Sequence, residues 1–193
     1  MSNIFINICL PLIIFAALFF SAQPRAFAAE IAGNSARLSQ LSVYQSSNNY
    51  VSNDFYFKAK AIEAILTEYQ SPLVDQSQAF ITACQTYEID CYLLPAIAGL
   101  ESTFGKFIYP NSYNPFGWGG GYIIFESWEK AIDTVASGLR NNYIDKGAKN
   151  VEMIGKIYSE SPTWAIRIRW FINQFTKEEE EIRLLFNKNK VEL

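Results

Sequence analysis

Histidine is absent from all 193 residues, and that absence removes whole classes of chemistry. Ser-His-Asp and Cys-His nucleophilic catalysis cannot be assembled within this chain, and a catalytic zinc site would need ligands it barely has. A positive charge excess is missing too: 16 Lys and Arg face 19 Asp and Glu, for a formal net charge of −3. Without that electrostatic footprint, no nucleic-acid partner is expected. Cysteine is scarce, with three residues and no C-x-x-C spacing, which argues against a redox centre. No metal or organic cofactor is expected. What the chain does have is apolar and aromatic material, 50% and 16% of its residues. That composition suits stacking on neutral rings better than gripping phosphates. The length allows one sizeable domain with a core of its own.

Long apolar runs are confined to the amino terminus. Ile4 to Phe20 is interrupted only by Asn7 among its apolar residues, and Ala26-Phe27-Ala28 follows as an A-x-A cleavage site. This pattern reads as a signal peptide over residues 1–28, although its first residues carry no Lys or Arg. The alternative is a retained membrane anchor, since roughly 18 apolar residues can span a bilayer. On either reading the remainder is exported to the cell envelope, the periplasm or the exterior, and a membrane is a partner only if the segment stays. Cleavage would remove only Arg25 among the charges, leaving 15 basic and 19 acidic residues, net −4. Cys9 would leave with the signal. Cys84 and Cys91, seven apart, are then expected to form a disulfide across a helix-helix turn; two buried thiols are the alternative.

Residues 29–54 are rich in Ser, Asn and Gln without steady periodicity and read as a polar linker or a loosely packed arm. The domain is expected over residues 55–176. Helical spacing begins near Phe55, with Ala61, Ile62, Ile65, Leu66 and Tyr69 on one face up to Ser71-Pro72. A second helix is expected from Leu73 to Tyr87, and a third, capped by Asp90, from Cys91 to about Phe104. Gly105 to Phe125 holds Pro110, Pro115, Gly117 and Gly119 to Gly121, then the β-prone run Tyr122 to Phe125. This stretch reads as loop with a short hairpin. Ser127 opens a helix to about Asp145, a short helix covers Val151 to Tyr158, and a last one follows Pro162. Residues 177–193 form a charged tail, expected to be a solvated helix.

One residue stands out on the third helix. Leu94, Ile97, Glu101 and Phe104 fall at i, i+3, i+7 and i+10, so a carboxylate shares a stripe with three core-type residues. Burial there would favour its protonated form. A proton-holding glutamate beside a cleft is what glycosidic cleavage requires of its general acid. The alternative is that the apolar stripe ends at Leu100 and leaves Glu101 half exposed.

The surrounding text supplies a resemblance. Leu94-Pro95-Ala96-Ile97-Ala98-Gly99-Leu100-Glu101-Ser102-Thr103-Phe104-Gly105-Lys106 resembles the catalytic helix of lysozyme-superfamily peptidoglycan hydrolases. It is most similar to bacterial endo-β-N-acetylglucosaminidase domains and next to soluble lytic transglycosylases. Asn114-Pro115-Phe116-Gly117-Trp118 resembles the N-x-F-G loop of those domains, and Phe125-Glu126-Ser127-Trp128 the segment entering their next helix. Tyr158, with Ser161-Pro162-Thr163-Trp164-Ala165 after it, is similar to their late tyrosine and closing helix. The likeness spans roughly residues 73 to 175.

The resemblance implies a mainly α, lysozyme-like fold, whose helical lobe and small β-hairpin lobe form a glycan cleft. Glu101 would be the general acid, and Tyr158 would position or stabilise the reacting sugar. Ser102, Asn114, Phe116, Gly117, Trp118, Tyr122 and Glu126 would make up the substrate-binding set, with Asn114, Phe116 and Gly117 shaping the cleft floor. Trp118 and Tyr122 could face sugar rings, although packing is the stronger expectation for Tyr122. Trp164 and Trp170 read as core. The chain departs from the glucosaminidase pattern in having no acidic residue between Glu101 and Glu126. Glu126, the nearest candidate for a second carboxylate, reads more simply as helix N-terminal charge compensation beside Glu129. The expected partner is the peptidoglycan glycan strand, cut at a β-1,4 linkage by a glucosaminidase-like reaction. Lytic transglycosylase or muramidase action and non-catalytic glycan binding are the alternatives.

Overall fold

The computed structural model describes residues 53–191, with side-chain surroundings as far as residue 188. The expected signal and almost all of the polar arm lie outside the described residues. The protein is mainly helical. Helix α1 spans residues 53–68, two residues earlier than the spacing predicts. It buries Phe57, Ala61, Ile62, Ile65 and Leu66, and this stripe is why it docks rather than remaining solvated. The chain breaks at Ser71, whose buried hydroxyl donates to the Phe104 carbonyl at 2.7 Å and accepts from the Leu73 amide at 2.9 Å. The expected second helix is a 3₁₀ turn, Val74–Gln76, leading into α2, Ser77–Tyr87.

Glu88 ends α2 in a left-handed conformation, and a disulfide joins Cys84 to Cys91 with Cα atoms 4.8 Å apart. Helix α3, Leu93–Ser102, starts two residues later than expected, with Tyr92 at its N-cap and no side-chain capping bond; the Asp90 carboxylate instead accepts the Tyr92 amide at 2.8 Å in the turn before it. Leu93 through Gly99 are all buried. A helix apolar around so much of its surface belongs at the centre of the core. Helix α4, Trp128–Leu139, is capped by Ser127, whose hydroxyl accepts from Lys130; a π turn, Arg140–Ile144, extends it. Helices α5, Val151–Tyr158, and α6, Trp164–Val191, complete the order. Helix α3 packs on α6, α2 on α4, and α5 on α6. No helix of the described residues is long and apolar enough to cross a membrane.

Two expectations need correction. There is no strand among the described residues, so the hairpin lobe does not form. Tyr122–Phe125 has the right composition but no partner: the facing chain contains Pro110 and Pro115, and Asn111 and Tyr113 adopt positive φ, which excludes a ladder. A single backbone bond, Phe125 N–H to Ser112 carbonyl at 2.8 Å, crosses the gap. The charged tail, in turn, is a continuation of α6, and Glu179 within it is buried. Its carboxylate accepts from Tyr92, Arg183 and, at 3.1 Å, Lys58 of α1. Burial alone would raise its pKa, but these three donors outweigh it and hold the carboxyl below its usual range.

Candidate active site

Four segments of the chain converge on one carboxylate. Helix α3 stops at Ser102 because Thr103 and Phe104 adopt left-handed conformations, φ 50° and 56°. The Phe104 amide turns back to the Ala98 carbonyl at 2.9 Å, a Schellman-type closure. Phe104 therefore does not extend the helical stripe; its ring folds under the helix against Tyr69 and Phe171. Glu101, in the last turn, overhangs the core and is exposed. Of the two readings of this stripe, the structure therefore bears out the one in which it ends at Leu100 and leaves Glu101 exposed, while Leu94, Ile97 and Phe104 around it are fully buried.

The hydroxyl of Ser102 pins the following loop to α3: it donates to the Pro115 carbonyl at 2.7 Å and accepts from the Gly105 amide at 2.8 Å. Asn114 then organises that loop from within. Its amide nitrogen donates to the Trp118 and Ile123 carbonyls at 2.9 and 3.2 Å, and its oxygen accepts from the Trp118 amide at 3.1 Å. Ser102, Asn114 and Phe116 are buried, and the polar groups of Ser102 and Asn114 are taken up within the protein, so the three support the loop from beneath instead of reaching outward. Gly117 sits at φ +64°, where a Cβ would stand 3.5 Å from Glu101 Oε2. The loop backbone therefore passes directly over the carboxylate, which glycine permits at least cost.

Tyr158, the last residue of α5, donates to the Phe116 carbonyl at 2.7 Å. Burial, then the negative charge of Glu101, then Tyr143 push its phenol well above the usual tyrosine range, so it remains a neutral donor. Its ring stacks on Trp164 at 5.1 Å and lies 5.9 Å from Trp118 and 6.1 Å from Tyr143. The half-buried Trp118 is seated in α4, where a Cβ on Gly138 would come within 2.6 Å of its ring.

Trp164 is buried, as its spacing suggests, but it also has a task that sequence reasoning missed: its indole Nε1–H donates to Glu101 Oε1 at 2.8 Å. Sixty-three residues separate the two, and no local pattern signals such a bond. Tyr143 was likewise missed. Tyr122 is not packed but 78% exposed, touching Tyr109 edge-on at 6.3 Å. Glu126 is exposed, and among the described residues no hydrogen bond or ion pair links Glu101 to a second carboxylate or a cation. No group of three or more metal-ligating side chains occurs among the described residues. Glu101, Tyr158, Trp164 and Gly117 thus come together, with Asn114, Ser102 and Phe116 beneath them; Tyr122 stands outward on the loop.

No protein-family model matches this chain, and no curated protein is significantly similar to it.

Proposed function

We propose that the protein is an exported, lysozyme-like glycosidase that cleaves β-1,4 linkages in peptidoglycan glycan strands, with Glu101 as general acid. The observation that carries this reading is the setting of Glu101. It is a solvent-accessible carboxylate anchored by one indole donor, overlain by a glycine backbone and bordered by a neutral tyrosine. Glycan cleavage needs a proton delivered to the leaving oxygen and stabilisation of positive charge developing at the anomeric carbon. Glu101 supplies the proton as the bond to the leaving sugar breaks. With no acidic residue between Glu101 and Glu126 to face it across the scissile bond, the anomeric carbon is captured by the substrate's own N-acetyl oxygen. The ionised Glu101 then acts as base for the attacking hydroxyl: water gives a reducing end, the sugar's own 6-hydroxyl a 1,6-anhydro end. Tyr158 and the Trp118 face border the reacting sugar. Purified sacculi treated with residues 29–193 are expected to release soluble fragments, and the Glu101→Gln protein is expected to release none. Polymer binding by the wild type without release would favour a non-catalytic glycan-binding module.

A further inference from the structure

Trp164 does more than fill the core, and its geometry specifies how Glu101 is used. The indole is held between the ring of Tyr158, stacked at 5.1 Å with planes 28° apart, and α5 at Gly155, where a Cβ would come within 2.8 Å of the ring. It is 2% exposed, so its orientation is fixed by packing. Its nitrogen is a donor only. The oxygen 2.8 Å away, Glu101 Oε1, must therefore act as an acceptor in this arrangement. The other oxygen, Oε2, faces the backbone of Gly117 and receives no hydrogen bond from the described residues.

We infer that Trp164 is a positioning residue that occupies Glu101 Oε1 and so makes Oε2, over Gly117, the oxygen that carries and delivers the proton. The inference rests on the glycosidase reading. In the step it governs, the proton leaves Oε2 for the glycosidic oxygen, the electrons of the breaking carbon–oxygen bond stay with that oxygen, and the carboxylate left behind keeps its indole bond. Gly117 belongs to the same device: a Cβ there would touch the delivering oxygen at 3.5 Å, and its φ of +64° is one that glycine adopts at least cost.

Trp164→Phe keeps the stack on Tyr158 and the seat at Gly155 but removes the N–H. Its kcat on soluble glycan oligomers is expected to fall on the order of 10- to 100-fold, with KM within about twofold. A second measurement leaves the packing of Trp164 untouched. The chain has four tryptophans, so ¹⁵N-labelled protein gives four indole N–H resonances. The one missing from Trp164→Phe is expected to move upfield in Glu101→Gln by more than the other three. If that resonance stays in place, or if the folded Trp164→Phe protein keeps full kcat while the wild type is active, the positioning role is overturned and the glycosidase reading stands. A wild type that cleaves no glycan overturns both.

Discussion

Asn114 spends its whole side-chain amide on its own loop, with three bonds to the Trp118 backbone and the Ile123 carbonyl. A buried amide so committed is costly to remove, because the backbone groups it satisfies are left without partners. Asn114→Ala is expected to lose about 1–3 kcal/mol in denaturant unfolding, and to lose activity by releasing the backbone above Glu101. Tyr158→Phe makes a finer cut: the ring stack survives while the bond to Phe116 goes. We expect a stability loss of about 1 kcal/mol and a fall in kcat, read by unfolding and by turnover on the same preparation. At this scale the sequence marked Glu101, Asn114, Gly117 and Tyr158 individually, because each lies in a recognisable local motif. It does not mark the Trp164 bond, and it leaves the exposure of Glu101 open between two readings. The stripe count assumes a helix running through Phe104, whereas the left-handed turn at Thr103 leaves the last helical turn at the edge of the core.

Helices are legible where apolar spacing and a cap coincide, as at Ser127, whose side chain accepts from Lys130; Asn150, which accepts from Met153, is a cap that only the structure shows. The Tyr122–Phe125 run was misread because β-propensity reflects how a residue fits a pleated surface, and no partner strand exists to supply one. The tail reads as solvated because its charges are dense; beside the local Arg183, the partners of Glu179 are Lys58 of α1 and Tyr92 just before α3, far away in sequence. That cluster makes stability depend on pH. The Glu179 carboxyl titrates lower folded than unfolded, so its stabilisation is complete above the unfolded glutamate value of about 4.3 and is lost as pH falls through the folded value. Glu179→Gln is expected to cost about 1–3 kcal/mol near neutrality, and the gap to wild type should narrow progressively in unfolding curves taken at pH values below about 4.3. The Cys84–Cys91 bridge closes a short loop between α2 and α3. Replacing both cysteines by serine is expected to lower stability by about 2.5 kcal/mol on the chain-entropy account.

For the whole molecule, composition points the same way as the site, while the acidic charge does nothing to attract an anionic polymer. The exported chain would carry net −4 by the count of its residues, and the run from Phe107 to Phe125 contains no charged side chain. Tyr122, Tyr109 and Phe107 stand exposed along it. Recognition of an anionic wall polymer would then rest on ring stacking and hydrogen bonds, which salt screens little. Retention on purified peptidoglycan should change by less than about threefold between low and physiological ionic strength; a steep loss with salt would indicate charge-driven binding instead. The mainly helical class was readable from periodicity alone. The convergence of α3, the Asn114 loop, α5 and α6 was not, because it is made by contacts between distant segments.

The most direct measurement is mass spectrometry of purified peptidoglycan digested by residues 29–193, beside the Glu101→Gln protein. We expect soluble fragments from the wild type that end in reducing N-acetylglucosamine, and none from the variant. Fragments with 1,6-anhydromuramic ends would keep Glu101 as the acid and move the reaction to transglycosylation. Equal release by wild type and variant, or none by either, would contradict the assignment of Glu101 as the proton donor.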